Sequence, residues 1–226
     1  MNKYNLYIDI ETIPSENDEL KQEIAAGIKP PANYKKPESI EKWEKENKPA
    51  LIEKALKEMS FDAGTAEIVA ISCAQGDNPI YSLYRDQECS ELLLLQRLNT
   101  YFSELKKDIH TENNVIWTGH YITGFDLRFL WKRYIINRTR PAIKIPYDAK
   151  PWSNNIYDTC HEWGGGKDRS SLDFVCKALG IKGKEGMNGS QVYDYWKAGR
   201  YVDIADYCDD DVQRVREIHK AMTFNG

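Results

Sequence analysis

Two acids stand two positions apart in YIDIET, residues 7–12: Asp9 and Glu11. On a β-strand they point to one side, while Leu6, Ile8 and Ile10 supply an apolar opposite side. Two like charges with no lysine or arginine between them need water at a sheet edge, or a positive group from elsewhere. A third acid, Asp126 in GHYITGFDLRFL, follows a strand-like run and opens a helix, where ligand-binding groups of α/β sheets collect. Taken alone it equally suits the positive end of a helix dipole. The last group is DYCDDDVQRV, with Asp206, Asp209, Asp210 and Asp211. Such a run is ordinarily a solvated helix face, yet aspartate is a mediocre helix former, and four beside Val212 and Val215 put at least one inward. On a helix Tyr207 and Asp211 share a face, with Arg214 a turn further on.

The bulk of the chain narrows what these acids serve. At 226 residues, with 41% hydrophobic and 29% charged side chains, it is long enough for one well-buried domain, residues 1–226, with room for an elaboration. No apolar run approaches the ~18 residues of a membrane span, and no signal peptide precedes the first strand. The cysteines are odd in number and never in a CxxC pair, which argues against a disulfide framework or zinc knuckle and suits a cytoplasmic location. A net charge of −4 disfavours a protein that coats nucleic acid through a broad basic surface. A local site of acids and bound metal stays open.

The elements that must position the acids follow from periodicity. Strands are expected at 4–11, 66–75 and 79–84 as an antiparallel meander, then at 114–121 and 154–163. Helices are expected over 88–109, 124–136 and 170–180, and in a helical C-terminal region over 189–200 and 203–222. Right-handed crossovers place the fourth and fifth strands parallel to the first. Residues 15–64 are charged and helix-forming and read as a helical insertion between strands one and two, a cap or a solvated appendage. The fold class is α/β with a mixed five-stranded sheet flanked by helices.

DIE on the first strand, FD opening the helix after the fourth, YCDDD near the end and SLDFVCKALGI before it together resemble the DEDD superfamily of 3′–5′ exonucleases. These have a DnaQ-like, ribonuclease H-like fold, and the likeness is strongest to predicted exonucleases related to the proofreading domain of family B DNA polymerases. It covers residues 4–13 and roughly 65–224, leaving the insertion outside. It implies that Asp9, Glu11, Asp126 and Asp211 ligate metal. Tyr207, four before Asp211, marks the tyrosine branch; the other branch has a histidine five before, where this chain has Asp206. The implied cofactors are two divalent cations, Mg²⁺ or Mn²⁺, which balance four carboxylates and suit an all-oxygen ligand set. Asp9, Glu11 and Asp211 would hold the ion that activates water, and Asp126, with Asp9 bridging, the ion at the leaving 3′-oxygen. Tyr207, with a pKa near 10, would orient the attacking water rather than act as a base.

Substrate contacts are expected from Ile10, Thr12 and Ile13 beside the acids. Lys182 and Lys184 in IKGKEGMNGSQ suit either a basic loop over a single strand or a plain linker. Tyr121 stands where related sequences usually carry a supporting or substrate-contacting asparagine. Phe125 reads as core, and Trp152 and Trp163 as packing residues. The function implied is hydrolysis at the 3′ end of single-stranded or frayed DNA, releasing nucleoside 5′-monophosphates. A ribonuclease D-like exoribonuclease and an inactive nucleic-acid-binding module are the alternatives. Only 15 residues follow Asp211, which suggests a stand-alone nuclease serving a separate polymerase or replication protein.

Overall fold

The computed structural model describes residues 3–108, 114–183 and 186–225. Five strands, β1 (Tyr4–Pro14), β2 (Ala66–Gln75), β3 (Tyr81–Tyr84), β4 (Val115–Gly119) and β5 (Ile156–Asp158), form one sheet in the order β3-β2-β1-β4-β5. β2 pairs antiparallel with β1 and with β3; β4 pairs parallel with β1 and with β5. The strand carrying Asp9 and Glu11 is therefore the middle one, and an edge position is not what tolerates the charges.

Helices cover both faces, which is why β2 is apolar almost throughout. On one face Leu6, Ile8 and Ile10 meet leucines and Phe102 of α4 (Glu91–Asp108), and Leu127, Leu130 and Tyr134 of α5 (Asp126–Ile136). On the other, Tyr7 packs with Val175 of α7 (Leu172–Leu179) and with Val212 and Val215 of α9 (Tyr201–Met222). Further along that face Ile13 joins Tyr207, Ile204 and Trp196, the last from α8 (Val192–Lys197). Asp9 and Glu11 fall on β1 between these two apolar clusters. A register shift between Glu11 and Thr12 marks a bulge at the same place, and bulges re-aim side chains next to sites.

Between β1 and β2 lie α1 (Asp18–Gly27), α2 (Pro37–Glu46), α3 (Lys48–Glu58) and a 3₁₀ turn, Met59–Phe61, as the insertion reading expects. The fifth strand is shorter than its composition suggests. Asp158 accepts hydrogen bonds from Cys160 N and His161 N at 3.2 and 3.4 Å and so caps α6 (Thr159–Gly164), which turns HEW from strand into helix. β1 also runs three residues further, to Pro14.

A buried polar knot fixes α5 to the sheet. Glu91 accepts from Ile68 N at 2.8 Å, from Arg133 Nε at 2.8 Å and from Asn137 Nδ2 at 2.7 Å, and it pairs with Arg133 Nη2. Arg133 also donates to the Ala63 carbonyl at 2.7 Å. Both charged groups are almost wholly buried. Removing one strands the other, so Arg133→Ala is expected to lower unfolding stability by about 3–5 kcal/mol, read in urea.

Candidate active site

Asp9, Glu11 and Asp211 each offer a carboxylate oxygen within 4.8 Å of the others. The first two are half-buried on β1, and Asp211 is 5% exposed on α9. Asp206 and Asp210 of the acidic run face solvent, and Asp209 accepts from Ser72 Oγ. One aspartate of the four thus points into the site. Arg214 lies a turn beyond it: Nη1 pairs with Asp211 at 2.9 Å, while Nη2 reaches Asp210 at 3.2 Å and the Gly183 carbonyl at 3.3 Å. A positive side chain is present after all, from α9 rather than β1.

Asp126 arrives from the opposite side. β1 and β4 pair over Tyr4–Tyr7 and Val115–Thr118, and β4 ends at Gly119. On β1 the Ile10 N–H donates instead to Asp126 Oδ1 at 3.3 Å. Asp126 is 5% exposed. It is an electrostatic neighbour of both Asp9 and Asp211, though outside the three carboxylates at common ligand spacing.

The segment that launches Asp126 hangs on Asp158. Its carboxylate accepts from Tyr121 N at 2.9 Å and from Thr123 Oγ1 at 2.9 Å and N at 3.3 Å. Tyr121 adopts φ +61°, a left-handed conformation that asparagine takes readily and tyrosine does not. Its ring covers Gly124, where a Cβ would meet it at 2.1 Å. Arg169 lies 4.0 Å from the ring centroid and donates to the hydroxyl.

Burial and crowding decide the protonation of these groups. Desolvation first, then Asp126, Asp211 and Glu11, push the Asp9 carboxyl well above the usual carboxylate range. Asp126 is raised to about 7, mainly by burial, with Asp158 and Asp211 adding to it. Tyr207 is buried, and burial with the neighbouring Asp211, Glu11 and Asp9 charges keeps its hydroxyl protonated far above the ordinary tyrosine range. The Cys208 thiol donates to Asp9 Oδ2 at 3.4 Å and is likewise raised by burial. Three carboxylates at ligand spacing, with Asp9 among them and the nearby Asp126 both resisting ionisation in bare protein, form an all-oxygen set that fits a hard divalent cation.

The expected substrate contacts separate. Ile10 and Thr12 line a cavity of about 380 Å³ with Glu11, Lys57, Ser60, Phe61 and Phe125. Ile13 is 0% exposed beneath Tyr207, so its side chain is core and not a substrate contact. Tyr121 lines a different cavity, of about 230 Å³, with Trp152 and Arg169. Phe125 is half-buried, packed on the core yet open to the first cavity, so it is not the plain core residue expected. Lys182 is exposed, and Lys184 lies outside the described residues. Asp158, Arg169 and the insertion residues Lys57, Ser60 and Phe61 were not legible as site residues.

A mixed sheet in this order with acids at its middle strand is the fold of ribonuclease H-like exonucleases. The model of a family of predicted 3′–5′ exonucleases related to the exonuclease domain of PolB matches residues 62–215, and the chain belongs to that family. Asp126, Tyr207 and Asp211 fall within the match; Asp9 and Glu11 precede it and join the site through geometry. Among solved structures, the family B DNA polymerase from the hyperthermophilic archaeon Pyrobaculum calidifontis is similar in fold, with TM-score 0.58 and 13% identity. That likeness covers 99% of this chain and 25% of the polymerase, so the chain spans about a quarter of the polymerase's length. Comparison with curated proteins finds no match. No helix among the described residues is long and apolar enough to cross a membrane.

Two predictions follow from this geometry. Folded-state pKa values raised above the unfolded ~3.9 mean that the folded protein holds more protons, so their stabilisation is present at low pH and lost as pH rises from about 4 to 7. In EDTA the melting temperature of wild type minus that of Asp126→Asn is therefore expected to fall by several degrees between pH 5 and 7.5, and Mn²⁺ to remove the fall. At Tyr121, asparagine relieves the backbone while losing the ring contact, so Tyr121→Asn should stay within about 1 kcal/mol of wild type. Tyr121→Val keeps the strain and loses the ring; it should cost about 1–2 kcal/mol more in denaturant titrations.

Proposed function

We propose that the protein is a metal-dependent 3′–5′ exonuclease acting on single-stranded or frayed DNA ends. The observation that carries the reading is the meeting of Asp9, Glu11 and Asp211 at ligand spacing on a buried strand and the helix that crosses it. Asp126 completes the set from the start of α5. Two Mg²⁺ or Mn²⁺ ions held by these carboxylates would polarise the phosphodiester and lower the pKa of the attacking water. With Arg214 at the site, two such ions leave one positive charge over, and the phosphodiester of a bound strand neutralises it. Asp9, Glu11 and Asp211 serve the attacking side, and Asp126 with Asp9 the leaving 3′-oxygen. Tyr207 keeps its proton throughout the working range, so it acts by orienting water through its hydroxyl and not as a base. Water adds to the terminal phosphorus, the bond to the 3′-oxygen breaks, and a nucleoside 5′-monophosphate leaves.

An inert binding module has no use for acids crowded so closely that the Asp9 and Asp126 carboxyls are pushed upward, which favours an enzyme. The test is a 5′-labelled DNA 20-mer and its RNA counterpart incubated with protein in Mn²⁺ and in EDTA. A ladder shortening from the 3′ end of DNA, in Mn²⁺ alone, is expected; faster digestion of RNA would move the protein to the exoribonuclease class. Asp9→Ala and Asp211→Ala should each abolish the ladder. Tyr207→Phe should slow turnover about 100-fold with unchanged Mn²⁺ uptake by calorimetry; loss of uptake as well would make Tyr207 structural.

A further inference from the structure

The insertion does not stand clear of the site. Thr12 Oγ1 donates to the Ser60 carbonyl at 2.8 Å, which ties the Met59–Phe61 turn to β1 one residue past Glu11. Met59 and Ala63 on either side are buried, yet Phe61 between them is 73% exposed. A turn pinned at three points presents an aromatic ring to solvent.

That ring stands between two cavities. One, of about 380 Å³, opens beside Ile10, Glu11 and Thr12. The other, of about 200 Å³, is lined by Arg128 and Lys132. Phe61 and Phe125 line both. Arg128 and Lys132 are exposed, one turn apart on α5, the helix that Asp126 opens, and neither enters an ion pair among the described residues. Asp62 also lines the second cavity, and the two cations outnumber it. In a chain of net charge −4, they form a local basic track beside the exposed Phe61 and the half-buried Phe125, the composition that holds single strands by phosphate contact and base stacking.

We infer that the insertion carries part of the strand-binding track. Phe61 stacks on a base and divides a pocket for the 3′-terminal nucleotide, at Ile10–Thr12, from an upstream subsite where Arg128 and Lys132 hold phosphates. The inference rests on the exonuclease reading and adds to it residues outside the acidic cluster.

The test is fluorescence anisotropy of 5′-fluorescein-dT12 in EDTA over a KCl series, alongside digestion of the same strand in Mn²⁺. Each lost single-strand phosphate contact lowers the slope of log K against log[salt] by about 0.7, so R128Q/K132Q is expected to lower it by about 1.4. Lys42→Gln with Lys54→Gln removes the same charge from exposed positions elsewhere on the insertion and is expected to match wild type. Phe61→Ala should weaken binding about 5- to 100-fold at unchanged slope, and Phe61→Trp should retain it. A wild-type slope in R128Q/K132Q, or wild-type affinity in Phe61→Ala, overturns the track while leaving the nuclease standing. Wild-type protein that neither binds nor digests the strand overturns the exonuclease reading itself.

Discussion

Like-charged carboxylates on the middle strand of a sheet are the constraint around which the rest of this molecule is arranged. A buried acid in such company ionises only if something positive or proton-donating faces it. The chain provides several partial answers at once: the Arg214 guanidinium on Asp211, the Ile10 N–H on Asp126 and the Cys208 thiol on Asp9. None is enough to return Asp9 or Asp126 to the usual carboxylate range. That unmet negative charge at the centre of an otherwise well-packed sheet is what the proposed cations would balance. The local backbone serves the same end, since β4 stops at Gly119 while β1 continues to Pro14, and Asp126 takes the Ile10 N–H.

How much of this was legible in the sequence depended on the range of the interaction. Alternation placed Asp9 and Glu11 on one side of β1, and the bounds of β2 follow directly from its apolar run. Helical spacing indicated that the acidic run turns one aspartate inward with Arg214 nearby. Adjacency to the acids misled at Ile13, which shares their side of the strand but lies under Tyr207 and Trp196. Parity sets the face, not what covers it. Asp158 escaped because a three-residue strand has too few positions to show a period, and Asp-Thr-Cys-His reads equally as strand or as a helix cap. The left-handed backbone at Tyr121 has no tyrosine signature at all.

The insertion shows the same limit more sharply. Its helix-forming composition was clear, but the contact that gives it meaning joins Thr12 to Ser60 across 48 positions of charged helix and turn. A segment with its own helices reads as an appendage until its last turn is seen anchored by Met59 and Ala63.

The four acids are not held alike. Asp9, Glu11 and Asp211 stand on β1 and α9, between two apolar clusters that include Tyr7, Val212 and Val215 on one side and Ile13, Ile204 and Tyr207 on the other. Packing of that density leaves little room for displacement. Asp126 starts a helix reached through a strained loop, and polar groups fix that loop: Asp158 on Tyr121 and Thr123, and the Asp126 contact to Ile10 itself. Hydrogen bonds to a buried carboxylate define direction well, but they can be exchanged for water in a way that apolar packing cannot. Asp126 is thus aimed by hydrogen bonds, while the helix it opens is held against β1 by Leu127 and Leu130 in the shared core. Since Arg128 and Lys132 ride on that same helix, the core packing that seats α5 on β1 fixes the position of Asp126 and of the two cations together.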